Sequence, residues 1–285
     1  MTTYAVTGAT GGLGHRAVEE LLDRGVPAGD VVAVVRRPEA AADLADRGVQ
    51  VRHGDYSQPG TLPAALAGVD RLLLVSGSEP GQRVAQHTAV VEAAATAGVQ
   101  RIVYTSIAHA DTSTNPLAPE HRDTEQVLLA SGIPVTVLRN SWYAENYTSR
   151  IDEYLATGEI VGAAADGRVS IAPRDDYAVA AAAALLADDD GAVVRELGGP
   201  GVTLADVAAA VTEVTGTPVR YRDLPADEYA AALQGVGLDA GTAGFVAGID
   251  TSIARGELDT GDGDLAALLG RPVTPLADAL RAARG

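Results

Sequence analysis

Along the first half of the chain, short aliphatic runs alternate with alanine-rich segments whose apolar residues recur at helical spacing. The runs span residues 4–7, 31–35, 49–52, 71–75, 101–105 and 135–138, and the helical patterns between them include 13–24, 62–66, 84–97 and 124–130. Strands that are apolar throughout, each followed by a helix, predict a parallel sheet covered on both faces. Six such strands joined by right-handed crossovers predict a doubly wound α/β fold. Gly25, Gly48, Gly68, Gly98 and Gly132 each fall just after a helical pattern, where a helix end takes a left-handed residue.

After residue 142 the alternation becomes irregular. Helices are predicted over 175–187, 203–214, 226–233 and 264–269, with short strands at 194–197 and 219–222. These predict a smaller C-terminal α/β lobe folded over the sheet's carboxyl edge. The expected division is therefore a nucleotide-binding Rossmann domain over 1–141 and a substrate-binding lobe over 142–285, discontinuous with the first. Residues 188–191 read as a solvated turn and 256–263 as an exposed acidic loop.

The stretch VTGATGGLG, residues 6–14, follows the first strand and opens the first helix. In that setting Gly8 permits the tight turn, Gly11 lets the backbone approach a pyrophosphate, and Gly14 allows close packing of helix on strand. The helix start, with Thr10, Gly12 and Leu13 around it, offers free N–H groups and a positive dipole end to phosphates. An acidic residue closing the second strand would bind the ribose 2′-hydroxyl of NAD. Here VVAVVRRP ends in Arg36 and Arg37 instead, and a guanidinium forks onto a 2′-phosphate. The expected nucleotide is NADPH, with Arg36 as the phosphate ligand. Asp55 and Tyr56 follow the third strand, where they border the adenine, and Ser76, Gly77 and Ser78 follow the fourth, near the ribose and pyrophosphate.

Charge and composition exclude several classes of function. A formal charge of −17 repels phosphate backbones and argues against nucleic-acid binding. The absence of cysteine removes disulfides, thiolate metal sites and a cysteine nucleophile, and the five histidines show no metal-ligand spacing, so no metal is expected. The longest apolar stretch, 177–187, is too short to span a bilayer, and no leader is visible, so a cytoplasmic protein is expected.

All 21 basic residues are arginine. The Tyr-x-x-x-Lys pair by which short-chain dehydrogenases reduce carbonyls therefore cannot exist in this chain. The segments TGATGGLGH, VAVVRRP, LLLVSGSEPGQR, YTSIAHADTS, EHRDTEQVL, LRNSWYAENY and PRDDYA run colinearly through the sequence. Taken together they resemble the NmrA-like branch of atypical short-chain dehydrogenases, specifically the type-2 NAD(P)H:quinone oxidoreductases. The resemblance implies NADPH bound across the switch point of the sheet, with a quinone as the small-molecule substrate. It also points to Asn140–Glu145, which include Trp142 and Tyr143, and to Arg174 as cofactor contacts. His121 stands where lysine-bearing cousins carry the first residue of a K-x-x-x-E pattern, ahead of Glu125.

Quinone reduction asks little of acid–base groups, because the oxidised ring is already electrophilic. The expected mechanism is direct hydride transfer from nicotinamide to quinone without a flavin, at roughly 3–3.5 Å between reacting atoms. His121 is the first candidate proton donor and Tyr143 the second, while Trp142 and Tyr143 offer flat faces for stacking. The rival reading is a non-catalytic NmrA-like sensor that binds NADP(H) and regulates a partner by contact. Either a monomer or a homodimer is compatible with the sequence.

Overall fold

Valines at 31, 32, 34 and 35 make one side chain point to each face of the sheet in turn, and all five residues of this strand are buried. Only a sheet covered on both faces accommodates such a strand. A computed structural model describes residues 1–189 and 191–284, so Asp190 of the expected solvated turn and Gly285 lie outside the described residues.

The strands are β1 (Tyr4–Thr7), β2 (Val31–Val35), β3 (Gln50–His53), β4 (Arg71–Leu74), β5 (Arg101–Ile107), β6 (Val135–Asn140), β7 (Trp142–Tyr143), β8 (Glu159–Gly162), β9 (Val169–Ala172), β10 (Ala192–Leu197), β11 (Gly201–Val202) and β12 (Arg220–Asp223). The helices are α1 (Gly12–Asp23), α2 (Ala42–Asp46), α3 (Leu62–Leu66), α4 (Arg83–Ala97), α5 (Ala118–Ala130), α6 (Glu145–Thr148), α7 (Ile151–Thr157), α8 (Arg174–Leu186), α9 (Leu204–Thr215), α10 (Ala226–Gly235), α11 (Ala240–Ala254), α12 (Gly263–Leu269) and α13 (Leu276–Ala282).

Two compact units result. The first comprises Met1–Ile107, Glu120–Arg139 and Asp175–Arg195. It is built on a seven-stranded sheet in the order β10-β6-β5-β4-β1-β2-β3, in which β1 pairs in parallel with both β2 and β4. The strand order reverses direction at β1 and β4, which opens a crevice at their carboxyl ends. On one face Val32, Val34, Leu72, Leu74, Ile102, Tyr104, Val135 and Val137 pack with Leu62 and Leu66 of α3, Val90 of α4 and Leu128 of α5. The alternate positions Val6, Ala33, Leu73 and Val103 are buried as well, and α1 lies against β1 and β2. The sheet is thus a doubly wound, Rossmann-type α/β layer.

The second unit comprises Ala108–Pro119, Asn140–Arg174 and Glu196–Gly285. It holds a three-stranded sheet, β11-β9-β7, and a two-stranded one, β12-β8. Its helices α10 and α11 pack on one another, with Tyr229 and Ala247 in their shared core. Asp250 of α11, Tyr221 and Asp223 capture three successive amides of the loop after β8. Ala163 donates to Asp250 Oδ2 (2.8 Å), Ala164 to the Tyr221 hydroxyl (2.9 Å) and Ala165 to Asp223 Oδ1 (2.8 Å).

Several expectations need correction. A seventh strand, β10, completes the large sheet, so residues read as part of the C-terminal lobe add to the first layer. Residues 175–187 likewise group with the first unit, and five alanines of α8 (Ala178, Ala180, Ala181, Ala182 and Ala184) are buried. The α5 helix starts at Ala118, six positions before the predicted 124, since Pro119 is tolerated in a first turn. Glycines at 241, 244 and 248 concealed α11, whose start is secured by Asp239 accepting from the amides of Gly241 (2.9 Å) and Thr242 (3.0 Å). The expected exposed loop at 256–263 contains fully buried Leu258, bridged to Val169. No helix among the described residues is long and apolar enough to cross a membrane.

Candidate functional site

Thr7 ends β1 with its side chain buried. Its hydroxyl donates to Leu73 O (3.1 Å) and accepts from the Val75 amide (3.0 Å), tying the ends of β1 and β4 together at the switch point. The chain then turns through Gly8, whose φ of 61° is the left-handed region, and Gly11 N–H donates to Gly8 O (2.9 Å). Gly11 is the N-cap of α1, and no side chain caps this helix. Its first-turn amides, around Gly12 and Leu13, are therefore donors without a side-chain acceptor, the arrangement that receives an anion. A Cβ at Gly14 would sit 2.4 Å from Gly8 O, so only glycine lets the helix lie this close to the turn.

A cavity of about 400 Å³ opens beside this turn. The sequence-predicted residues Gly8, Thr10, Gly11, Arg36, Asp55, Tyr56, Ser76, Gly77 and Ser78 all line it. Gly12, Leu13 and Gly14 are not among its lining residues; Leu13 and Gly14 are buried under the turn. Sequence reasoning missed Val34, Gly54, Ser57, Val75, Glu79 and Gln86 and gave Arg37 no contact; all seven line the cavity. Most of them belong to the same strand-end turns as the predicted ones. Gln86 alone comes from inside a helix, and only the direction of α4 aims it here.

Around this cavity the polar groups are held by hydrogen bonds, with buried side chains as the partners at Gly77. The Asp55 carboxylate accepts from the Ser57 amide (2.9 Å) and from Gln58 Nε2 (2.8 Å), closing its own turn. Tyr56 donates to Val75 O (2.9 Å), and burial pushes its phenol pKa well up, so it remains a neutral aromatic wall. Gly77 is held at both ends, its N–H donating to His87 Nε2 (2.9 Å) and its carbonyl accepting from Arg83 Nε (3.0 Å). Because Nε2 accepts, the ring proton of His87 is on Nδ1, directed at Thr124 Oγ1 (3.1 Å). Burial, with the Arg83 charge, lowers the His87 pKa to about 3. Arg36 reaches across the cavity mouth to Glu79, 3.5 Å away.

His121 lies elsewhere, in α5. It is 5% exposed, and its Nδ1 shares a hydrogen bond with the Tyr104 hydroxyl at 2.7 Å. Burial first, then the Arg83 charge and His87, hold its pKa well below the ordinary histidine value. The imidazole is neutral and its Nδ1 is committed to the core.

The remaining predicted residues belong to the second unit. Asn140, the last residue of β6, is 3% exposed. Its Nδ2 donates to the Tyr143 hydroxyl (3.4 Å), whereas its Oδ1 is buried with no hydrogen-bond partner. The Arg174 guanidinium lies 5.2 Å from the centre of the Tyr143 ring, and the Arg174 amide donates to both carboxylate oxygens of Glu145 at 3.0 and 3.1 Å. Burial raises the Tyr143 pKa, against opposing contributions from Asn140 and Arg174. Trp142, half-buried, is held in β7 opposite Ile171.

Within the first unit the groups present suit a dinucleotide with a 2′-phosphate: an uncapped helix start beside the cavity and a guanidinium at its mouth. Among the described residues no three His, Asp or Glu side chains gather as metal ligands.

Comparison with known proteins agrees with this reading. A family described as NAD(P)H-binding matches residues 8–190. Quinone oxidoreductase 2 of Escherichia coli is 45% identical over 277 residues, covering 97% of this chain and 96% of that protein. The crystal structure of the Escherichia coli NADPH-dependent quinone oxidoreductase with NADPH superposes with a TM-score of 0.94 at 44% identity, covering 99% of this chain and 100% of that one. Triphenylmethane reductase of Citrobacter sp. with NADP(H) gives 0.91 at 37% identity, with coverages of 99% and 100%. This chain belongs to the NAD(P)H-binding family, with the type-2 quinone oxidoreductases.

Proposed function

We propose that this chain is an NADPH-dependent quinone oxidoreductase that works by direct hydride transfer without a flavin. The observation that carries the reading is the cavity at the carboxyl ends of β1–β4, bordered by an uncapped helix start and the Arg36 guanidinium. When bound, NADPH supplies a hydride that, with one proton, converts a quinone to its hydroquinone.

The chain's own residues bind, orient and exclude water. Gly8, Thr10 and Gly11 cradle the pyrophosphate, and the amides of Gly12 and Leu13 complete the anion site. Arg36 takes the 2′-phosphate. Asp55 and the Tyr56 ring border the adenine, and Ser76–Ser78, fixed by α4, flank the ribose. Asn140 Oδ1, buried without a partner, would serve as an acceptor for the nicotinamide carboxamide. Trp142 and Tyr143 offer flat faces to a planar acceptor, and Arg174 steadies the Tyr143 ring.

Tyr143 keeps its proton because burial raises its pKa, so it acts as a hydrogen-bond donor to the developing hydroquinone oxygen, with water as the final proton source. His121, expected to donate this proton, is reassigned: buried, neutral and bonded to Tyr104, it stabilises the packing beneath the cavity. The enzyme is assigned to the cytoplasm as a monomer or homodimer, and its charge of −17 argues against nucleic-acid partners.

The test is anaerobic NADPH oxidation with para-benzoquinone against an enzyme-free control, with NADH in parallel. Saturable turnover that favours NADPH supports the reading. Binding of NADPH with no turnover across several quinones overturns it in favour of a dinucleotide sensor.

A further inference from the structure

Glu79 sits in the turn after β4, and its two carboxylate oxygens are used differently. Oε2 accepts from Gln86 Nε2 at 2.8 Å, and Gln86 is itself 8% exposed and also donates to Ser57 Oγ at 3.0 Å. This anchors Glu79 to α4. Oε1 reaches Arg36 NH1 at 3.5 Å, across the mouth of the cavity that both residues line. Arg36 is otherwise mostly solvated, its side chain 70% exposed.

We infer that Glu79 is a specificity-determining residue, holding Arg36 until a 2′-phosphate displaces it and so restraining the preference for the phosphorylated dinucleotide. The inference rests on the reading of Arg36 as the 2′-phosphate ligand. A phosphate dianion needs the forked guanidinium donors for itself and is repelled by the neighbouring carboxylate. A ribose with a free 2′-hydroxyl has no such charge and meets neither obstacle. Glu79 therefore penalises one class of nucleotide and leaves the other alone. Because the pair is exposed and screened, the penalty is modest.

The experiment is calorimetric binding of adenosine 2′,5′-bisphosphate and adenosine 5′-monophosphate to the full chain and to Glu79→Gln, Arg36→Ala and the double variant. Glu79→Gln should tighten the bisphosphate about two- to fivefold and change the monophosphate by less than about 1.5-fold. In the Arg36→Ala background most of that gain should disappear. Unchanged or weaker bisphosphate binding in Glu79→Gln, with Arg36→Ala still lowering it, overturns the inference while leaving Arg36 as the phosphate ligand. An Arg36→Ala variant that keeps the wild-type ratio of the two affinities overturns both.

Discussion

Arg36, after β2, and Gly14, packed against the turn after β1, act through opposite physics. Arg36 contributes charge and is mostly solvated, so its removal should leave the fold intact. We expect Arg36→Ala to lower kcat/KM for NADPH about tenfold and leave NADH nearly unchanged, since an exposed charge-assisted bond to phosphate is worth about 1–1.5 kcal/mol. Steady-state assays with both nucleotides check this, and an equal loss for the two would remove the assigned role. Gly14 contributes the absence of a side chain. A Cβ there would meet Gly8 O at 2.4 Å and Gly8 C at 2.8 Å, both backbone atoms that cannot rotate away. Gly14→Ala should therefore cost about 3 kcal/mol of stability and weaken NADPH binding together, read by denaturant unfolding and fluorescence. Full stability with lost binding would mean that the turn, not the packing beneath it, absorbs the methyl group.

At the scale of elements, the loop after β8 is held by three acceptors on successive amides, and Asp250 is the one whose charge matters. Burial, with the Asp223 charge, raises its pKa from 3.8 to about 6 despite the Ala163 amide and Arg150. Its neighbours Tyr147, Tyr154, Tyr221 and Tyr229 are neutral phenols that give its anion little relief. The folded state thus binds this proton more tightly than the unfolded chain. The stability it contributes is complete below about pH 4 and is lost as pH rises through about 6. Asp250→Asn keeps an oxygen for the Ala163 amide and removes the titration. It should flatten this part of the pH–stability curve, raising stability at pH 7 by about 1–2 kcal/mol relative to the parent. Chemical denaturation at about pH 5 and pH 7 tests the sign; a variant less stable than the parent at pH 7 would show that Arg150 needs the anion.

For the whole molecule, the formal charge of −17 sets the long-range field. Self-repulsion destabilises a compact state, and salt screens it over about 10 Å at 0.1 M. Raising ionic strength from low to about 0.5 M should therefore raise Tm by several degrees, as seen by calorimetry. A falling Tm would mean that local ion pairs, among them Arg139 with Glu125 at 2.7 Å, outweigh the net repulsion.

What could be read from the order of residues was whatever depends on neighbours in sequence. The six aliphatic runs, the glycine turn and the doubled arginine after β2 are local patterns: the runs predicted the strands, and the turn and the arginines line the cavity. The missing lysine was legible in the same way, because an absent residue type needs no fold to interpret. Tertiary structure alone decided what depends on distant segments meeting. It brought Gln86 from inside α4 and Glu79 from the turn after β4 to the mouth near Arg36. It added β10 to the sheet and α8 to the first unit. It also enclosed His121 against Tyr104, changing a plausible acid into a neutral buried ring. In each case burial and pairing, which no stretch of sequence encodes locally, set the chemistry of the group.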